Sequence, residues 1–157
     1  MLRATKIIGV ISDTHGLLRS EALAALRGCD AIVHAGDIGK PEVLEQLVEL
    51  APLTAIRGNV DKWATDLPDT AVLTLARKRF YVIHDVKELA LDPRAAGFAA
   101  VISGHSHVPK SETRAGVLYL NPGSAGPRRF KLPIAVAKIR LRGDAVEAEL
   151  VTVPVQG

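Results

Sequence analysis

Residues 7–15 read Ile7-Ile8-Gly9-Val10-Ile11-Ser12-Asp13-Thr14-His15, an apolar run that stops abruptly in a carboxylate and an imidazole. Five residues rich in β-branched side chains have the length and composition of a strand buried on both faces. The run is too short for the core of a signal peptide or for a membrane span, so the expected location is the cytoplasm. What decides the fold is that the same arrangement recurs down the chain.

Ala31–Val33 ends in His34-Ala35-Gly36-Asp37, and Leu53–Ile56 ends in Arg57-Gly58-Asn59-Val60-Asp61. Phe80–Ile83 ends in His84, and Phe98–Ile102 ends in Ser103-Gly104-His105-Ser106-His107. Val117–Leu120 runs into Asn121-Pro122-Gly123-Ser124. Each run has strand length. Helical patterns separate the first three. Arg19–Arg27 places Leu23 and Leu26 three apart, with Ser20 as the expected cap. Pro41–Leu50 opens on proline and sets Val43, Leu44, Leu47, Val48 and Leu50 on an amphipathic pattern. A third, short helix is expected from Asp92-Pro93 to Gly97.

Beyond residue 108 the texture becomes β-rich. Val108–Thr113, Val117–Leu120, Leu132–Leu141 and Ala145–Val153 read as strands joined by turns at Ala115-Gly116 and Gly143-Asp144. The expected architecture is therefore α/β, a mixed-sheet sandwich with helices outside, forming one domain over residues 1–157.

Composition sets the remaining bounds. With 157 residues, 48% apolar and 24% charged, the chain reads as globular and large enough to bury a core without staples. The single cysteine, Cys29, excludes an internal disulfide and reads as a small buried hydrophobe. A net charge of +3 does not call for a nucleic-acid partner. Arg77-Lys78-Arg79 and Arg128-Arg129-Phe130-Lys131 fit attraction of anionic substrates, but a solvated turn is the first reading of both, and the former lies between two strand-like runs like a hairpin tip.

In open α/β sheets, ligands bind beyond the carboxyl ends of the strands. Parallel strands would gather the polar ends of these runs along one edge, placing four of the five histidines beside two carboxylates and a carboxamide. A nitrogen and oxygen inventory without thiolate suits Mn, Fe, Ni, Co or Zn. In extended backbone, residues i and i+2 project the same way, so Asp13 with His15, and His105 with His107, are each expected to converge. Gly36, Gly58 and Gly104 are expected to let the backbone turn sharply and approach a ligand closely.

The ordered set D-x-H, G-D, G-N, H and G-H-x-H resembles the calcineurin-like metallophosphoesterase superfamily, specifically its short, single-domain phosphodiesterase branch. The resemblance runs from Ile7 to about Arg128 and includes the Asn121-Pro122-Gly123-Ser124 turn. It implies a sandwich of two mixed sheets flanked by helices. It also implies one divalent metal held by Asp13, His15, Asp37 and His107, and a second by Asp37, Asn59, His84 and His105. Asp37 would then bridge the two, with manganese the first choice of ion and a metal-bridging hydroxide as nucleophile. By simple counting, two divalent ions offset by Asp13, Asp37 and one hydroxide leave roughly one positive charge, which suits the monoanionic phosphate of a small diester. A monoester is tolerated by the same count.

Two positions depart from the family pattern. Where many members carry a histidine that protonates the leaving group, this chain has Val60, and Asp61 behind it reads as a turn residue or a brace for a ligand. Without that acid, good leaving groups or water-assisted protonation are favoured. Asp85 follows His84 where the family usually has glycine, and its carboxylate fits contact with the second metal's surroundings or a solvent-facing position equally.

Other residues near the motifs carry weaker expectations. His34 reads first as a hydrogen-bonded core histidine, and as the spare imidazole it is also the only histidine available as a replacement acid. Arg57 fits a phosphate contact or a surface ion pair equally. Asn121 and Ser124 are expected to build a turn that braces the metal loops. Trp63 fits either stacking on an aromatic leaving group or sealing the core edge.

The rival to an enzyme is a binding module, because some relatives of this fold are scaffolds that have lost ligands. All seven positions here carry competent donors, which favours the enzyme. A nuclease is disfavoured, since there is no leaving-group histidine, no capping domain and no basic stripe interleaved with aromatics. Homo-oligomerisation is compatible with the sequence.

Overall fold

The computed structural model describes residues 5–129 and 131–155. Along them run β1 (Lys6–Ile11), α1 (Ser20–Leu26), β2 (Ala31–His34), α2 (Pro41–Val48), β3 (Leu53–Ala55), β4 (Thr70–Leu75) and β5 (Lys78–Ile83). A single 3-10 turn at Val86–Glu88 precedes β6 (Phe98–Ile102), β7 (Lys110–Arg114), β8 (Val117–Asn121), β9 (Ala135–Arg142) and β10 (Ala145–Thr152). Two five-stranded mixed sheets result, ordered β10-β9-β1-β2-β3 and β4-β5-β6-β8-β7.

Each sheet contains three parallel strands. In one these are β1, β2 and β3, and in the other β5, β6 and β8. Antiparallel neighbours complete both: β9 and β10 on the first, β4 and β7 on the second. The six parallel strands are those whose apolar runs end in the polar motifs.

Alternation along the strands builds the layers. Ile8 and Val10 of β1 meet Phe80 and Val82 of β5, Ala100 and Ile102 of β6, and Leu118 and Leu120 of β8 between the sheets. On its other face β1 turns Ile11 toward α1 and α2, where Ile32, Ala22, Leu26, Val43 and Leu47 join it. Cys29 is buried in this second layer, as expected of a small hydrophobe. Both helices therefore cover the first sheet. The outer face of the second carries only Ile83, Val101 and Val117, with Tyr81, Leu89 and Tyr119 packed against them.

Several boundaries differ from the sequence-based expectation. Ser20 is the first residue of α1, not its cap; Arg19 holds the cap position and offers no side-chain hydrogen bond. Helix α2 stops at Val48, which faces solvent at 56% exposure. No α-helix forms over Asp92–Gly97. The Asp92 carboxylate accepts from the amides of Arg94 and Ala95, and the chain leaves through Gly97 at positive φ. So short a segment closes one turn and cannot propagate. The hairpin tip lies at Ala76-Arg77, one residue earlier than the basic triplet centres it, and both residues are left-handed, as a two-residue turn of this type requires. Lys78 and Arg79 belong to β5. Arg128 and Arg129 are exposed, and Phe130 of that cluster lies outside the described residues. Among the described residues no helix is long and apolar enough to cross a membrane.

Phe80 is the largest completely buried side chain between the sheets. Phe80→Ala is expected to cost about 3–5 kcal/mol in chemical denaturation. Val72→Ala on the exposed side of β4 is expected to stay within about 0.5 kcal/mol.

Candidate metal centre

The loops leaving the parallel strands remain zipped together beyond the sheets. The Asp13 amide donates to the Gly36 carbonyl at 3.0 Å, the His15 amide to Asp37 at 2.9 Å, and the Gly104 amide to His84 at 2.9 Å. Asp13, His15, Asp37, His105 and His107 all have positive φ, between 47° and 72°. The convergence of Asp13 with His15 and of His105 with His107 therefore does not come from extended backbone, as the spacing suggests. It comes from pairs of left-handed residues, each of which costs on the order of 1 kcal/mol or more.

Of the three glycines, only Gly36 supplies a positive φ, 103°. Gly58 and Gly104 serve close approach instead. A Cβ on Gly58 would strike the carboxylate and amide of Asp37, and one on Gly104 would strike the Ser12 hydroxyl and Asp13.

The result is two groups of donors side by side. Asp13, His15 and His107 form one, and Asp37, His84 and His105 the other, with the donor atoms of each within 4.8 Å of one another. The rings pair likewise, His15 with His107 at 5.4 Å and His84 with His105 at 5.2 Å between centroids. Asp13 Oδ1 faces the Nε2 atoms of His107, His15 and His84 at 3.4, 3.9 and 4.0 Å. Asp37 Oδ2 stands 3.3 Å from His84 Nε2 and 3.7 Å from His15 Nε2. It thus faces a member of each group. Asn59 is exposed and lines a cleft with His84 and His105.

Orphaned atoms test whether metal fits. Asp13 Oδ1, His15 Nε2, His84 Nε2 and His107 Nδ1 are buried without a hydrogen-bond partner. Buried polar atoms are seldom left unpaired, and donors about 2.1 Å from one tetrahedral ion lie roughly 3.4 Å apart, close to the separations here. His84 is already set for coordination. Its Nδ1 lies 2.7 Å from the Ala35 carbonyl, which fixes the proton there and leaves the Nε2 lone pair free. Divalent cations fit this donor set.

Charge is distributed accordingly. Burial pushes the Asp13 carboxyl above its ordinary range, partly offset by the Ser12 hydroxyl and His84. Burial also works against the Asp37 carboxylate, yet His84, the Val60 amide and His15 together hold it down to about 2. For His84, burial disfavours the cation, but Asp37, the Ala35 carbonyl and Asp13 outweigh it and raise its pKa. Burial, with Arg129 and His15, lowers His107 to about 4.

The surrounding residues hold the donors in place. Asp61 is buried, its carboxylate accepting from the amides of Ile38 at 2.9 Å, Gly39 at 3.0 Å and Gly58 at 2.9 Å, so it ties the loop after β2 to the loop after β3. Asn121 donates to the Gly104 carbonyl at 2.8 Å and to Ser106 at 3.0 Å, and accepts from Gly123. Ser124 donates to the Asp13 carbonyl at 2.9 Å. Ser12 was not singled out by its sequence context, yet its hydroxyl donates to Asp13 Oδ2 at 2.7 Å.

His34 is completely buried, accepts from the Gly36 amide at Nδ1 and meets Thr14 Oγ1 at 3.0 Å through Nε2. Burial depresses its pKa to about 3. With both nitrogens engaged and no exposure, it has no geometry for donating a proton to a leaving group. Arg57 pairs with Asp69 through two nitrogens at 3.2 and 3.0 Å. Trp63 is 39% exposed and lines neither cleft beside the donors.

Two carboxylates and four imidazoles gathered at one end of a sandwich define a candidate divalent-metal centre. The chain matches the calcineurin-like phosphoesterase superfamily domain over residues 7–144, and it belongs to that family. It is 32% identical to a "Probable metallophosphoesterase" of Methanothermobacter thermautotrophicus, over 92% of this chain and 91% of the relative. Among solved structures it resembles a predicted phosphoesterase of Streptococcus pneumoniae, with a TM-score of 0.76 and 25% identity over 96% of this chain and 91% of that one. Its fold is also shared by an archaeal phosphodiesterase (TM-score 0.74, 21% identity, 92% and 99% covered). A zinc complex of Vps29 from Entamoeba histolytica shares it too (TM-score 0.70, 22% identity, 93% and 98% covered).

Asp61→Ala would leave three amides without their acceptor. The expected loss is about 2–4 kcal/mol in urea denaturation, well above an ordinary surface substitution.

Proposed function

We propose that this chain, acting as one metallophosphoesterase domain, is a phosphodiesterase that hydrolyses a small diester with two divalent ions. The observation that carries the reading is that the two donor groups meet at the buried carboxylates, Asp37 Oδ2 and Asp13 Oδ1 each standing within 4 Å of imidazoles from both. Asp13, His15, Asp37 and His107 would hold one ion, and Asp37, Asn59, His84 and His105 the other. The family resemblance makes manganese the first choice, and the nitrogen and oxygen donors equally suit Ni, Fe, Co or Zn. Ions bound there would supply Lewis acidity toward the phosphoryl group and lower the pKa of water.

The protein's own part is to present these donors preorganised. Ser12, Asn121, Ser124 and Asp61 fix the loops, and Ala35 fixes the His84 ring. Neither position that the sequence offered as a source of a proton for the departing oxygen presents one. Val60 is 47% exposed and apolar, and His34 is buried and neutral. Preference for a diester over a monoester is supported by the charge count and by the likeness to an archaeal phosphodiesterase. The intact donor set argues against a scaffold. A cytoplasmic setting agrees with the single buried free cysteine.

Asp37→Ala is expected to abolish metal-dependent hydrolysis of an aryl phosphodiester and to lower the bound metal measured by atomic absorption. Near-normal turnover would end the two-metal reading. Across a series of aryl diesters, log kcat should fall steeply as the leaving-group pKa rises. A flat series, with chemistry shown to be limiting, is the contrary result.

A further inference from the structure

We propose that Asp85 is a specificity-determining residue that turns away doubly charged phosphates, an inference that rests on the phosphodiesterase reading above and narrows its substrate class to singly charged diesters. Asp85 follows His84 directly at the end of β5. Its Oδ1 accepts from the Lys87 amide at 3.1 Å and so caps the 3-10 turn, which fixes the side chain. Its Oδ2 points the other way and stands 3.8 Å from His105 Nε2. The side chain keeps 26% exposure.

Two clefts open beside the donor groups. One, of about 230 Å³, is walled by Val86, Val108 and Tyr119 with Lys87 and Lys110; the other, of about 640 Å³, by Arg57, Asn59, Tyr81 and His84. Asp85 and His105 are the two residues common to both. A phosphate reaching the donors with an organic group in either cleft passes this carboxylate.

Three of the four cations lining these clefts are engaged elsewhere, and the fourth, Lys87, is exposed. Arg57 pairs with Asp69, and Lys110 and Arg114 both pair with Glu112. Among the described residues, no lysine or arginine pairs with Asp85. Its charge therefore acts on whatever occupies the site. A phosphodiester carries one negative charge, whereas a monoester, with a second pKa near 6, carries about −1.5 to −2 at pH 7. Bound cations attract both, and Asp85 repels the second more.

Other roles for Asp85 fit less well. It lies outside the donor group of Asp37, His84 and His105, so it is not placed as a ligand. At 3.8 Å it is beyond hydrogen-bonding distance from the His105 ring. Capping alone needs an oxygen and no charge, so Asp85→Asn and Asp85→Ser keep the cap and remove the charge.

The test uses the full chain loaded with manganese. kcat/KM is measured for a paired aryl monoester and diester with the same leaving group, and calorimetry gives the affinities for inorganic phosphate and dimethyl phosphate. In both variants the monoester-to-diester ratio should rise about tenfold, the order expected for unit charges roughly 10 Å apart near a protein surface. Inorganic phosphate should gain on dimethyl phosphate by a similar factor, with bound metal unchanged. Ratios equal to those of the unmodified protein would overturn the proposal, and so would loss of metal, which would place Asp85 on the ions instead. A shifted anion ratio in a protein that hydrolyses neither ester would uphold Asp85 as a charge filter while removing the phosphodiesterase reading.

Discussion

One oxygen of the completely buried Asp13 carboxylate has no hydrogen-bond donor, and three imidazole nitrogens stand 3.4 to 4.0 Å from it. A buried carboxylate left unpaired is costly unless a cation joins it. The neighbouring residues keep this arrangement open. The other oxygen is held by the Ser12 hydroxyl and the His105 amide, so the carboxylate cannot rotate to satisfy both ends. Five donor residues accept left-handed backbone to aim their side chains inward. Strain of that kind persists only where the surroundings determine it.

The sandwich supplies those surroundings by joining its two sheets at this end. Asp13 and His15 come from the first sheet and His107 from the second; Asp37 comes from the first and His84 and His105 from the second. Hydrogen bonds cross the same boundary, from the His105 amide and Ser124 to Asp13 and between His84 and the Ala35 carbonyl. Each donor group therefore spans both sheets. An ion in either would clamp the layers together, so metal affinity and the stability of this end of the fold are coupled through linkage.

Much of this was legible in the sequence, for a definite reason. A strand buried on both faces reads as an uninterrupted apolar run, and the residue that ends the run marks the strand's carboxyl end. Asp13, Asp37, His84 and His105 could be found that way. The dihedrals could not, because a left-handed Asp or His leaves no mark in composition, and the i, i+2 spacing suggested pleated backbone where none exists. Strand β4 was legible only as a strand-like run before the basic triplet, since Thr70 to Leu75 is only partly covered, and its turn at Ala76-Arg77 carries none of the usual Asn or Gly. Ser12 escaped notice because a serine before an aspartate is unremarkable until the fold brings its hydroxyl onto the carboxylate.

The site is equipped unevenly. Six candidate donors for cations converge and are braced, whereas groups for gripping phosphate directly are few among the described residues. Arg57 is committed to Asp69, Lys110 to Glu112, and His34 to Gly36 and Thr14. Arg129, by contrast, is exposed and close enough to lower the His107 pKa, and Lys87 lines one of the clefts, so recognition of substrate charge would rest on any bound cations and on the few fixed charges beside them. In such a site the charge balance is narrow. A carboxylate at the junction of two clefts, paired with no lysine or arginine among the described residues, then weighs more than it would in a pocket rich in arginine.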